Sequence, residues 1–124
     1  MSTEPTGEGQ VKEQGGVDVL DLVVLAAADV DPWLASWRSD YLPAARERGL
    51  AVRKMWRSWA GPDTVAVRVL WSLRDTRAFY ASRSAANRDP RVAAFWARTD
   101  ALAVARDRQV LQPLPGAESA EVLA

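Results

Sequence analysis

The 124-residue chain contains no cysteine and no histidine. Without cysteine there is no disulfide, no thiolate nucleophile and no Cys-held zinc or iron–sulfur site. Without histidine the commonest metal ligand and the commonest general base are gone, and His-based triads and His-ligated haem with them. No apolar run approaches the ~20 residues needed to cross a bilayer. Met1 to Gly16 lacks the apolar centre of a signal peptide, so a cytoplasmic protein with no membrane partner is expected. No Gly-rich phosphate loop or dinucleotide fingerprint occurs. Asp29, Asp31 and Asp40 lack the alternating oxygen ligands and central Gly of a calcium loop. Neither a metal nor another cofactor is therefore expected, and any chemistry runs on Asp, Glu, Arg, Lys, Tyr or Ser, or on the substrate itself.

Charge is balanced overall, sixteen bases against sixteen acids. Five of the acids, Glu4, Glu8, Glu13, Glu118 and Glu121, lie in the tails with only Lys12 opposing them, so Val17 to Gln112 is mildly basic, fifteen against eleven. Bases and acids are interspersed there, unlike the one-faced patch of a nucleic-acid binder, and no nucleic-acid partner is expected.

In place of the missing groups stand six tryptophans. Trp33 and Trp37 are four apart and Trp56 and Trp59 three apart, while Trp71 ends an apolar run and Trp96 lies in an Ala-rich helical stretch. With Phe79, Phe95, Tyr41 and Tyr80 they read as one aromatic pocket seen from several elements. Such rings bury large areas and offer a polar handle to a flat ligand. For any single Trp, plain core packing is the simpler reading.

Length and composition fit one globular domain, 17–113, between a polar N-terminal arm, 1–16, expected to be disordered, and a C-terminal tail, 114–124. Val17 to Ala28 reads as a first strand covered on both faces, with the acid Asp21 inside its apolar run. Asp31-Pro32 reads as a helix start, and Trp33, Trp37, Tyr41, Ala44 and Ala45 recur at helical spacing up to Gly49, a C′ residue. Pro43 should kink that helix near Ser39. Leu50 to Ala60 and Thr64 to Leu73 form a hairpin around Gly61-Pro62-Asp63. In its first strand Arg53, Met55, Arg57 and Trp59 are expected on one face and Val52, Lys54, Trp56 and Ser58 on the other. Asp75 or Thr76 caps the next helix, Asp89-Pro90 starts another, and Arg108 to Gln112 is the last strand. The order is the split βαβ pattern: an α+β, ferredoxin-like βαββαβ sandwich with a four-stranded antiparallel sheet. Helices on one face leave the other needing cover, so a homodimer is expected.

The run Met55-Trp56-Arg57-Ser58 to Gly61-Pro62, then Val67 to Trp71-Ser72-Leu73, then Arg77, Arg83 and Asp89-Pro90, resembles the core of NIPSNAP-like members of the dimeric α+β barrel superfamily. The likeness spans roughly Val17 to Pro113. Leu20-Asp21-Leu22-Val23 stands where the family carries Glu-Leu-Arg, keeping the acid and losing the Arg. The strand-three Trp corresponds to Trp71, and Leu73 stands for a Tyr. The resemblance implies a homodimer whose sheets meet in a barrel, in a superfamily of cofactor-free monooxygenases and cyclases, haem enzymes and ligand-sensing modules.

Asp21, in an apolar strand, becomes a candidate general base if buried without a partner, and an ion pair with Arg53, Arg57 or Arg68 is the plainer outcome. Tyr41 and Tyr80 are candidate proton donors, Asp40 a further acid, and Arg68 or Arg83 would hold an enolate or phenolate. The expected function is a small cofactor-independent enzyme of cyclase, isomerase or monooxygenase type. It would act on an apolar, polyketide-like or polycyclic substrate in a cavity lined by Trp33, Trp37, Trp56, Trp59, Trp71, Trp96 and Phe79. The alternative is a non-catalytic dimeric module that binds an apolar small molecule.

Overall fold

The computed structural model of the chain describes residues 16–114. The arm and tail read from the sequence fall, apart from Gly16 and Leu114, outside the described residues. Along the chain come β1 (Val17–Ala26), a short turn of 3-10 helix (Ala27–Asp29), α1 (Val30–Ser36), a π turn (Trp37–Tyr41) and α2 (Leu42–Glu47). β2 (Ala51–Gly61), β3 (Thr64–Leu73), α3 (Thr76–Asn87), α4 (Pro90–Leu102) and β4 (Ala105–Leu111) complete the order. The strands form one sheet in the order β2-β3-β1-β4 with every neighbour antiparallel, which is the ferredoxin-like arrangement.

Side chains alternate across a strand, so directly paired residues share a face. Val17, Val19, Asp21, Val23 and Leu25 of β1 pair with Leu73, Trp71, Val69, Val67 and Val65 of β3, and all ten are buried beneath the helices. The opposite face carries Leu20, Leu22, Val24 and Leu70, each only half-buried. β1 is thus apolar on two faces, as the sequence suggests, but a single chain covers one of them.

Three local readings change. The helix begins at Val30, ahead of Asp31, and Asp31 makes no cap but sits in the first turn, 3.6 Å from Arg57. Pro32 is tolerated there because the first four N–H groups of a helix have no internal partner. In β2 a register shift between Val52 and Lys54 sets Val52 with Met55, Arg57 and Trp59 on the helix side, and leaves Lys54, Trp56 and Ser58 on the open face. The extra residue of a bulge resets the alternation in this way. β4 begins at Ala105, three residues before the expected Arg108.

Other signals act where they stand. Pro43 lacks the N–H that would bond the Ser39 carbonyl, and the helix widens over Trp37–Tyr41, where the Leu42 N–H donates to the Trp37 carbonyl. Both Trp37 and Tyr41 consequently face the sheet. At the end of α2 the Gly49 N–H donates to the Arg46 carbonyl (3.0 Å) and the Leu50 N–H to the Ala45 carbonyl (3.1 Å). This Schellman pair needs a left-handed residue, and Gly49 has φ +95°. Asp75 caps α3, accepting from the Ala78 N–H at 2.8 Å, and Asp89 caps α4, accepting from the Arg91 N–H at 2.9 Å. Arg91 also grips Glu47 (2.7 Å) and Asp89 (2.7 Å), tying the end of α2 to the start of α4. Its hydrogen bonds hold both carboxyls below their usual range.

Nothing lies within 4 Å of a Cβ built on Gly49, so replacing it costs backbone strain alone. Gly49→Ala should lower the unfolding free energy by about 1–2 kcal/mol in a urea titration, with the slope unchanged.

Candidate functional site

Between the sheet and the last two helices lies a cavity of about 490 Å³. Val19, Leu73 and Val110 form its apolar floor, Phe79, Ala86, Val92 and Trp96 its roof, and Leu50 one end. Its polar lining is Ser82 and Asn87 together with four arginines, Arg48, Arg83, Arg106 and Arg108, and it includes no carboxylate. A second hollow of about 510 Å³, along Asp100 and Ala103 to Arg108, is bounded only by the β4 edge and its approach from α4, and lies open to solvent. Walls on two layers make the first the better candidate site.

Asp21 anchors this lining from behind. It is 4% exposed, and its carboxylate takes Arg108 through both oxygens, at 2.6 Å from Nε and 2.9 Å from Nη2, while the Trp71 indole N–H donates to it at 2.9 Å. Register explains the choice of cation. β4 lies beside β1, and Arg108 is directly opposite Asp21. Arg53, Arg57 and Arg68, the partners expected from the sequence, are elsewhere: Arg53 lies 3.9 Å from Asp18, Arg57 near Asp31, and Arg68 donates to Ser58 on the open face. Burial works against the charge on Arg108, but the bonds it donates to Asp21 and Tyr41 outweigh it and hold its ionisation above the ordinary arginine range.

Tyr41 joins the two halves of the lining. Its ring contacts Trp71, Phe95 and Trp96 with centroids 5.9, 4.9 and 5.1 Å away. Its hydroxyl oxygen accepts from Arg108 at 3.2 Å and from Arg48 at 3.3 Å. Arg48 also lies over the Tyr41 ring, 5.6 Å from its centre. Trp96 in turn is covered by Arg106 at 4.5 Å and Arg108 at 5.8 Å, a cation–π stack on the cavity wall. Arg106 is fixed by a two-point bond to Asp100 (2.6 and 3.0 Å), which lowers the carboxyl and raises the guanidinium.

The tryptophans do not form one pocket. Trp33, Trp37 and Trp71 are packed into the core, with the Trp33 N–H donating to Thr99 at 2.9 Å. Trp56 lies on the opposite face of the sheet, and Trp59, 73% exposed, stands near the free end of the hairpin. Of the expected binding residues, Trp96, Phe79 and Arg83 line the cavity. Trp56 and Trp59, three apart in one alternating strand, fall on opposite faces, while Trp33, Trp37 and Trp71 are used up as core. Among the candidate catalytic groups, Asp21 and Tyr41 stand behind the wall, holding arginines. Asp40 is on the surface, 3.1 Å from Arg98 and bonded to Ser36 and Ser39. Tyr80 is 58% exposed and packs edge-on against Phe79.

Arg48, Arg106 and Arg108 escape the sequence reading. Arg108 carried a signal: in this fold β4 neighbours β1, so Asp21, the acid on the buried face of β1, calls for a cation in β4. Arg48 carried only its place before Gly49. Among the described residues no group of acids is arranged to hold a metal ion, and no helix is long and apolar enough to cross a membrane.

The NIPSNAP family model matches residues 24–117. Solved structures with a similar fold include a NIPSNAP family protein of unknown function from Agrobacterium tumefaciens str. C58, at 13% identity and TM-score 0.65, covering 81% of this chain and 89% of that one. An uncharacterized NIPSNAP domain protein from Burkholderia xenovorans is 19% identical at TM-score 0.63, covering 80% of this chain and 95% of that one. A protein provisionally named an antibiotic biosynthesis monooxygenase, from Caulobacter crescentus CB15, is 14% identical at TM-score 0.62, covering 87% and 98%. At such identities the likeness is one of fold. No curated protein matches the sequence.

Asp21 and Arg108 differ in exposure, 5% against 39% for the side chains, so the two halves of their pair should not be equivalent. Arg108→Met strands a buried carboxylate and should cost about 3 kcal/mol. Asp21→Asn keeps an acceptor for Trp71 and frees a guanidinium that reaches water, and should cost about 1 kcal/mol. Urea unfolding of the two variants side by side checks the order.

Proposed function

The chain belongs to the NIPSNAP family, and on that premise we propose that it is a cofactor-independent enzyme of the monooxygenase kind, acting on a flat, largely apolar hydroxyarene or polyketide-like substrate. The observation that carries the reading is the two-layered cavity of about 490 Å³ with Trp96 and Phe79 on one wall and arginines at its polar points. Its volume suits a ligand of two or three fused rings. The fold shared with a protein provisionally named a monooxygenase supports the reading.

The lining divides the labour. The apolar floor and the Trp96 ring hold the substrate flat. Arg108, locked by Asp21 and Tyr41, presents a fixed positive charge where a phenolate or enolate oxygen would develop, and Arg83 is a separate positive charge on the helix side of the cavity. The electron-rich anion then reacts with dioxygen. One oxygen atom enters the ring as a carbonyl, the other leaves as water with the two displaced hydrogens, and the substrate supplies all the electrons. Tyr41 and Asp21 are positioning residues in this scheme.

A second reading, a binding module without turnover, is favoured by one specific observation: none of Asp21, Tyr41, Asp40 and Tyr80 lines the cavity. The two readings separate under ¹⁸O₂. With 1-naphthol as substrate, the enzyme should convert it to a naphthoquinone bearing one ¹⁸O. Binding of 1-naphthol without oxygen uptake would select the module.

The working unit in this proposal is a homodimer joined through the open sheet face. Support comes from Leu20, Leu22, Val24 and Leu70, an apolar stripe that a lone chain leaves half-exposed and flanks with Trp56. Native mass spectrometry should return twice the chain mass of 13.6 kDa. Leu22→Arg on that face should shift the protein to monomer.

A further inference from the structure

The cavity carries more positive charge than its own fold neutralises. Arg108 is paired with Asp21 and Arg106 with Asp100. Among the described residues, no carboxylate comes within ion-pair distance of Arg48 or Arg83, and neither is hydrogen-bonded to one. Glu47 and Asp89 are near enough to feel Arg48, but both are taken up by Arg91, so that cluster returns at most one net negative charge.

Arg48 is the more telling of the two. Its Nη2 meets the Tyr41 hydroxyl, while Nε and Nη1 are buried from solvent with no hydrogen-bond partner. Two guanidinium N–H groups buried without an acceptor are costly, which favours a turn of the Arg48 side chain that presents them to an anion in the cavity. The surrounding wall is apolar: Leu50 and Val19 line the same cavity. What these groups together accommodate is an apolar body with one negatively charged oxygen group.

We infer that the ligand of this cavity is an aromatic or polycyclic carboxylic acid bound as its monoanion, with the carboxylate at the Arg48 end and Arg83 contributing from the helix side. The inference rests on the reading of the cavity as a small-molecule site and adds the charge and orientation of what enters. An acid anchored at Arg48 would lie along the floor of Val19 and Val110, with its ring against Trp96 and the far end toward Arg108. The anchoring arginine and the arginine facing the reacting oxygen are then different residues.

Calorimetric titration with 2-naphthoate and with 2-naphthamide, its neutral counterpart of nearly the same shape, tests this on the full chain. The acid should bind about ten- to a hundredfold more tightly than the amide. Arg48→Gln and Arg83→Gln should each shrink that ratio by several-fold while leaving amide affinity in place. Arg83 is exposed, so its variant reads the effect even if Arg48→Gln unfolds. Equal affinity for acid and amide would overturn the inference and keep the cavity. A preference for the acid that survives both substitutions would overturn the assignment to these arginines. Binding of neither compound at millimolar concentration would remove the small-molecule site itself, and the inference with it.

Discussion

A carboxylate placed in the middle of a central strand must be satisfied from its neighbours, because water does not reach it and an isolated buried charge is prohibitive. Asp21 is that carboxylate, and the elements around it are arranged on its terms. The adjoining strand on one side sends Arg108 across the register, and the adjoining strand on the other sends the indole of Trp71. Arg108 then meets Tyr41, which brings the first helical segment into the same network. Sheet and helices are thereby registered by polar contacts, whereas hydrophobic packing alone tolerates small slips. The energy of the core lies mostly in the buried aromatics, each large, and the ion pair decides how they align.

Much of the fold could be read directly. The apolar run of Val17–Ala26, the alternation in Thr64–Leu73, the Pro62-Asp63 turn, the caps at Asp75 and Asp89 and the αL residue Gly49 are local signals, fixed by backbone sterics, patterning and capping chemistry. What escaped was set by neighbours. The register shift after Val52 leaves no mark in composition, and it moved Val52 to the helix side. The start of helix α1 was misplaced because the 3-10 turn at Ala27–Asp29 lets the helix begin before Asp31.

The site was legible in kind and not in detail. Six tryptophans promised an aromatic cavity, yet strand parity sent them to both faces and to the hairpin end, and Trp96 is the one that faces the hollow. The acid in β1 invited a catalytic reading, and its three hydrogen bonds make it a fixture. The chemistry passed instead to arginines, residues so common in this chain that none stood out singly. Their significance is collective, since four of them line one cavity without a carboxylate among its lining.

The π turn has a consequence for how such a chain changes over time. A single wide turn is what one inserted residue makes of a regular helix, and deleting one residue between Trp37 and Tyr41 would rewind the segment. The rewound turn would absorb the missing residue, so the helical segments on either side would keep their faces toward the sheet. A deletion in a regular stretch of helix has no such outlet and turns one side by about 100° against the other. Trp33 before the wide turn and Ala44 and Ala45 after it are therefore joined by a stretch that can lose a residue with the core face intact. The Tyr41 hydroxyl, the common acceptor of two arginines, stands at the end of that stretch.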